Sequence, residues 1–188
     1  MLPTMKRAHF ASTLVIAALA TSLLSSEASA AESLRDPFYV GGTVLGFGAP
    51  LNSGARTTTP YRLDFDFGYH PSNRHDGFVV GFRQNFFFGG SYDGGTSQLR
   101  LGGDIPILIK GGRMEITIAP YGAGGIYYGF NGQNARAALS FGVEGKFFPI
   151  ANNGFFAMAR PFEITLLPGG GGTTPVLYGF GVGAGYAF

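Results

Sequence analysis

The chain contains no cysteine, so disulfides and thiolate metal sites are excluded. Histidine is scarce, with only His9, His70 and His75. Thirteen Lys and Arg face 11 Asp and Glu, and no basic run is present, so nothing marks nucleic acid as a partner. After residue 31 no window keeps a helical period. No apolar run reaches the ~20 residues that a membrane-spanning helix needs.

The first thirty residues differ in kind from the rest. MLPTMKRAHF carries Lys6 and Arg7, and FASTLVIAALATSLL is apolar. A small-residue site, Ala28-Ser29-Ala30, follows. This order of a basic n-region, an apolar h-region and a cleavage site predicts a signal peptide over 1–30, leaving 31–188 as one domain. An exported chain without disulfides must be held by packing and backbone hydrogen bonds.

All 32 glycines lie after residue 30, as do 18 of the 19 phenylalanines and all nine tyrosines. Glycine at that density argues against long helices. It has no Gly-x-y period and so does not indicate collagen. Period-two alternation recurs eight times instead, at 38–48, 60–69, 78–88, 98–109, 114–130, 135–148, 155–167 and 176–188. In YRLDFDFGYH, for example, Tyr61, Leu63, Phe65, Phe67 and Tyr69 alternate with Arg62, Asp64, Asp66 and Gly68. The connectors 49–59, 71–77, 89–96, 110–113, 131–134, 149–154 and 168–175 are rich in turn-forming residues. Eight strands with short connections predict an all-β, antiparallel up-and-down barrel. Pro106, Pro120 and Pro161 each remove a ladder donor and are expected at bulges or local breaks.

Two closed architectures fit, a soluble barrel with its apolar face inward and a transmembrane β-barrel with that face outward. Segments two to six each present an almost charge-free apolar face of about five residues, and their lengths match the ~9–11 residues of a spanning strand. Aromatic residues cluster at segment ends: Phe38 and Tyr39, Tyr61, Tyr69, Phe86–Phe88, Tyr128 and Phe130, Phe147 and Phe148, Phe155 and Phe156, Tyr186 and Phe188. Girdles at the two membrane interfaces would read this way. The opposite face carries Arg62, Arg83, Arg100, Arg136 and Lys146 against Asp64, Asp66, Asp104, Glu115, Glu144 and Glu163. A near-balanced set among small residues predicts a packed, ion-paired interior. In the seventh segment Arg160 falls on the face read as apolar and breaks it.

With these features the chain resembles the small eight-stranded outer-membrane β-barrels of Gram-negative bacteria, over 38–188. The most specific point of likeness is the C-terminus, where Phe188 follows Tyr186, Ala184, Val182, Phe180 and Tyr178 at alternate positions. The resemblance implies a bacterial outer-membrane location, with outer-membrane lipid and the barrel assembly machinery as partners. That machinery would read Phe180, Val182, Ala184, Tyr186 and Phe188. It also implies that both termini are periplasmic, so that 71–77, 110–113 and 149–154 are periplasmic turns.

Enzymes of this class place Ser-His or Asp-His at the external rim. Here His70 and His75 fall beside the first periplasmic turn, so no catalytic site is expected and both read as turn residues. Asp64 and Asp66 share the inner face, and Arg62 and Arg83 are expected to neutralise them. No cysteine or histidine cluster suggests a metal, and no cofactor is expected. The glycines at 179, 181, 183 and 185 precede no helix, which excludes a nucleotide loop. They make the last strand narrow, with room for an inner tyrosine such as Tyr121 or Tyr127. An eight-stranded barrel is only wide enough for side chains to fill. The expected role is therefore non-enzymatic: structural, scaffold or protein interaction, with glycine-rich first and eighth strands suited to close contact with other membrane proteins. A small, porin-like channel or transport component is the alternative, ahead of surface adhesion or a lipid-modifying enzyme.

Overall fold

The computed structural model describes residues 37–51, 61–72, 76–89, 92–110, 114–130, 135–150, 154–169 and 174–188. The predicted signal peptide, His75 and much of the predicted loops lie outside the described residues.

Eight strands follow in chain order: β1 (Phe38–Pro50), β2 (Tyr61–Tyr69), β3 (Gly77–Phe88), β4 (Gly94–Lys110), β5 (Met114–Gly129), β6 (Arg136–Phe148), β7 (Phe155–Leu166) and β8 (Val176–Ala187). Each pairs antiparallel with its sequence neighbour, and β8 pairs with β1, so the sheet closes into a barrel without edges. The expected strands correspond one to one with those observed. The main boundary difference is at β4, which starts at Gly94, so Gly94, Gly95 and Thr96 belong to the ladder rather than to a loop. Their composition reads as a turn. Bare Gly94 and Gly95 leave room for Tyr127 and Tyr128 of β5, which stand beside them.

Closure puts Phe38, at the start of β1, and Phe188 at one end of the barrel. Phe188 N–H donates to Phe38 C=O at 2.9 Å, and Ala187 N–H to Gly154 C=O at 2.7 Å. Three irregularities interrupt the registers. One extra residue enters β1 between Thr43 and Gly46, one enters β4 between Pro106 and Leu108, and one enters β7 between Arg160 and Glu163. Pro106 and Pro161 thus mark bulges, where a missing N–H costs no ladder bond. Pro120 does not: the register is the same at Gly102↔Tyr121 and Ile105↔Ile118 on either side of it.

The apolar face is outside. Leu99 is 69% exposed and Phe65 58%, and Phe67, Phe82, Leu101 and Phe141 are exposed with them. Period two then splits the aromatic doublets that the sequence places at strand ends. Phe38, Phe88, Phe147 and Phe155 stand on the outer surface, whereas Tyr39, Phe87, Phe148 and Phe156 are buried inside. The outward rings form girdle-like contacts at both ends, such as Phe38 on Tyr69 (4.7 Å) and Phe88 on Phe130 (6.2 Å). The inward rings build two apolar layers. At the end holding Phe38 and Phe188 these are Tyr39, Val79, Phe148, Phe156, Met158 and Ala187. At the far end they are Phe87, Tyr127, Ala138, Leu167 and Leu177.

Candidate functional site

Between the two apolar layers the lumen is filled by charge. Alternation along β2 turns Arg62, Asp64 and Asp66 inward; β3 adds Arg83, β4 Arg100, β6 Glu144 and β7 Glu163. The hub is Arg160. Its guanidinium donates to Asp64 Oδ2 at 2.7 Å, Asp66 Oδ2 at 2.7 Å and Glu144 Oε2 at 2.6 Å. Arg160 is 1% exposed.

This corrects the expectation that Arg160 breaks the outward face. Strict alternation back from Glu163 puts residue 160 outside. The bulge supplies two consecutive outward residues, Pro161 and Phe162, and that reverses the phase. Residues 156, 158 and 160 then face inward on one side of the bulge, and 163 and 165 on the other. A lone arginine on an apolar face, next to a proline, was the signal available in the sequence.

The remaining cations interlock with the hub. Arg62 holds Glu163 at 2.8 Å and Asp64 at 3.3 Å. Arg83 pairs with Glu163 and lies 3.5 Å from both Asp64 and Asp66. Arg100 lies 3.4 Å from Asp66 and from Glu144. The aspartate pair is therefore neutralised at closest range by Arg160, with Arg62 and Arg83 farther off. Tyr121 of β5 stands in the middle. Its ring lies under Arg100 (4.3 Å), Arg83 (5.1 Å) and Arg160 (5.6 Å); its hydroxyl accepts from Arg83 at 2.8 Å and donates to Glu163.

Four arginines and four carboxylates make this cluster neutral as a set. Lys146 and Asp104, 2.6 Å apart, add a second neutral unit toward the end holding Phe38 and Phe188. Lys146 Nζ also sits 3.8 Å from the Tyr39 ring centroid. Toward the far end the cluster passes into neutral hydrogen bonds. Asn85 amide donates to Thr96 hydroxyl (2.6 Å) and accepts from Arg62 (3.1 Å), while Gln98 amide donates to Ser140 (2.9 Å).

Other residues singled out in the sequence fall as follows. Glu115 is buried and its carboxylate accepts from Thr117 hydroxyl at 3.0 Å. Arg136 is partly exposed at the far end of β6, in register with Tyr127. Phe180, Tyr186 and Phe188 are exposed on the outer surface, and the Tyr186 and Phe188 rings meet edge to face at 5.4 Å. Ala184 is likewise exposed and Val182 half-buried. The glycines of β8 make room for Arg62 at Gly179, Thr43 at Gly181 and Phe156 at Gly185, not for Tyr121 or Tyr127. Tyr121 occupies the space over Gly142 instead.

His70 is more than a turn residue. It is 4% exposed, with Nε2 3.2 Å from Asp104 Oδ2 and Nδ1 3.2 Å from Pro37 C=O. Composition around the turn hid this, because Asp104 is distant in sequence and is brought to this end by the β3–β4 pairing, opposite Gly77. Among the described residues, no group of three or more His, Asp or Glu is placed to hold a metal ion.

No protein-family model matches the chain, and no curated protein is similar to it in sequence. Solved structures are similar in fold. Neisserial surface protein A (NspA) matches with a TM-score of 0.55 at 11% identity, covering 81% of this chain and 97% of that one. The N-terminal β-barrel domain of Pseudomonas aeruginosa OprF matches with a TM-score of 0.46 at 12% identity, over 82% and 99% of the two chains. Ail, the attachment invasion locus protein of Yersinia pestis, matches with a TM-score of 0.46 at 17% identity, over 83% and 99%.

Proposed function

We propose that this chain is an integral protein of a bacterial outer membrane, acting as a non-enzymatic structural or interaction element and not as an open pore. The fold it shares with NspA supports the first part. The apolar outer surface supports it independently, since large side chains such as Leu99, Phe65 and Ile126 stand exposed around the barrel. In water so much apolar surface would drive association; in a bilayer it is solvated.

The single observation behind the second part is the filled lumen. The neutral four-and-four cluster occupies its middle, and apolar layers close it above and below. A solute would have to displace arginines bonded to several carboxylates at once, which is far costlier than parting one exposed pair. Partners then meet the outer surface or the rims. Bilayer lipid contacts the apolar belt, and the barrel assembly machinery is proposed to read the C-terminal strand from Phe180 to Phe188.

The test combines location with conductance. After cell fractionation the protein is expected in the outer-membrane fraction, with heat-modifiable gel mobility. Reconstituted in planar bilayers, it is expected to give no steady ion conductance. Recovery in the soluble periplasm would overturn the membrane reading, and a steady conductance abolished by altering Arg83 or Asp66 would overturn the plugged-barrel reading.

A further inference from the structure

The bulges of β1 and β7 share one arrangement on the outer face. Val44 has no register partner on β2 or β8, and Pro161 has none on β6 or β8. In each case a tyrosine hydroxyl from the following strand donates to the carbonyl of that residue. Tyr61 of β2 donates to Val44 C=O, and Tyr178 of β8 to Pro161 C=O at 2.6 Å. Each tyrosine ring also meets a phenylalanine of the bulged strand edge-on, Tyr61 on Phe47 at 6.5 Å and Tyr178 on Phe162 at 6.1 Å. The surface around both is apolar, with Val44, Leu45, Phe47 and Phe162 exposed. Lipid supplies no donor to a carbonyl that a bulge has taken out of the ladder, and none to receive a phenol proton. The two groups satisfy each other.

The inner sides of the two bulges converge as well. In β1 the bulge turns both Val44 and Leu45 outward and leaves Thr43 inside; in β7 it turns Pro161 and Phe162 outward and leaves Arg160 inside. Thr43 hydroxyl donates to Asp64 Oδ2 at 2.6 Å, and the Arg160 guanidinium donates to the same oxygen at 2.7 Å. The Thr43 backbone N–H reaches the other oxygen, Asp64 Oδ1, at 3.3 Å. From this convergence we infer that Tyr61 and Tyr178 are positioning residues: by capping two bulges from the outer face, they hold Thr43 and Arg160 on one carboxylate oxygen in the lumen. The inference rests on the reading of that outer face as lipid-facing. Without its cap, a bulge relieves the open carbonyl by moving along the strand. Each residue it passes exchanges inside for outside. Thr43 and Arg160 stand next to the bulges, so they are the first to be displaced.

The test compares Tyr61→Phe and Tyr178→Phe with a reference, Tyr186→Phe, whose ring lies at the other end of β8 against Phe188. In urea titrations of the full barrel in phospholipid vesicles, each capping variant should lower the folding equilibrium constant about five- to a hundredfold, the effect of one unsatisfied buried group. The reference should lower it less than about twofold. Leu99→Arg in the same vesicles reports on the lipid-facing reading alone. If it destabilises the barrel while the capping variants match the reference, the caps fail and that reading stands; if it leaves the barrel unchanged, the reading itself fails. Amide hydrogen exchange in detergent tests the link to the lumen. Tyr61→Phe should lower protection of the Thr43 amide, and Tyr178→Phe that of Arg160 and Phe162, by about fivefold or more relative to amides of β4 and β5. A uniform loss across all strands, or none at these residues, would overturn the positioning role. If a capping variant does not fold, the wild-type barrel decides. In mixed H2O and D2O the ring 13Cζ signals of Tyr61 and Tyr178 should each split in two, as slowly exchanging, bonded hydroxyls do, and single averaged signals would overturn the proposal.

Discussion

Replacing Arg160 with methionine tests the account of the lumen most directly. Methionine keeps roughly the length and fills the space, so the change removes charge and donors rather than volume. In the wild type Arg160 bonds Asp64, Asp66 and Glu144 at 2.6–2.7 Å. Without it, four carboxylates share three arginines. The abandoned carboxylates are not left alone, because Arg62, Arg83 and Arg100 already stand 3.3–3.5 Å from Asp64 Oδ2, Asp66 Oδ1 and Glu144 Oε2 and can close in. The cost should therefore be that of breaking one buried ion-pair group, about 3–5 kcal/mol, not the sum of three charged hydrogen bonds. Urea titration of the barrel in phospholipid vesicles, read by heat-modifiable gel mobility, measures it. Arg136→Met at the partly exposed rim is the reference and should change stability by less than about 1 kcal/mol. Adding Glu144→Gln to Arg160→Met restores three cations to three anions, so it should recover stability in that background although it is destabilising alone. If Arg160→Met is no worse than Arg136→Met, or if Glu144→Gln adds to the damage, the charge-balance reasoning is wrong.

Three further outcomes are expected. Leu99→Arg, in the exposed outer face of β4, should destabilise the barrel in vesicles by about 2–4 kcal/mol, the cost of a cation facing lipid near the midplane; an unchanged urea midpoint would mean that this face does not meet lipid. Gly183→Ala should destabilise by about 1–3 kcal/mol, because a Cβ there runs into the Gly42 carbonyl, whereas Gly124→Ala meets only Leu139 Cδ2 at 3.6 Å and should leave the midpoint nearly unchanged; equal shifts would refute the steric account. Phe188→Ser keeps the backbone bond to Phe38, so it should refold normally in detergent yet reach the outer membrane of cells in reduced amount, as followed by fractionation; normal delivery would remove the C-terminal signal.

Strand number and the direction of each face were legible because period two carries through most of the chain. In β2 every second side chain, from Arg62 to Asp66, is charged and buried, and those between are apolar. The phase of β7 was not legible, since a bulge is invisible to a fixed period: one added residue at Pro161 exchanges inside and outside for everything before it. The partners of glycine were also out of reach. Which side chain fills the space over Gly179 depends on β8 lying next to β1 and across from Arg62, a neighbourhood set by closure and stagger. The acceptors of His70 were hidden too, since Pro37 precedes β1 and Asp104 lies in β4, both more than thirty residues away in sequence. Residues were readable where their role depends on sequence neighbours, and unreadable where it depends on the circumference of the barrel.

The shared ownership of charge inside the lumen also bears on how such a sequence can drift over generations. Asp64, Asp66, Glu144 and Glu163 each face more than one arginine, so no single substitution can be matched by one partner change without disturbing a third residue. Interior positions should then change in concerted groups and rarely one at a time. The outer face asks only for apolar character, and each of its residues can vary alone. A barrel under these two regimes can keep its architecture while its pairwise identity falls very low.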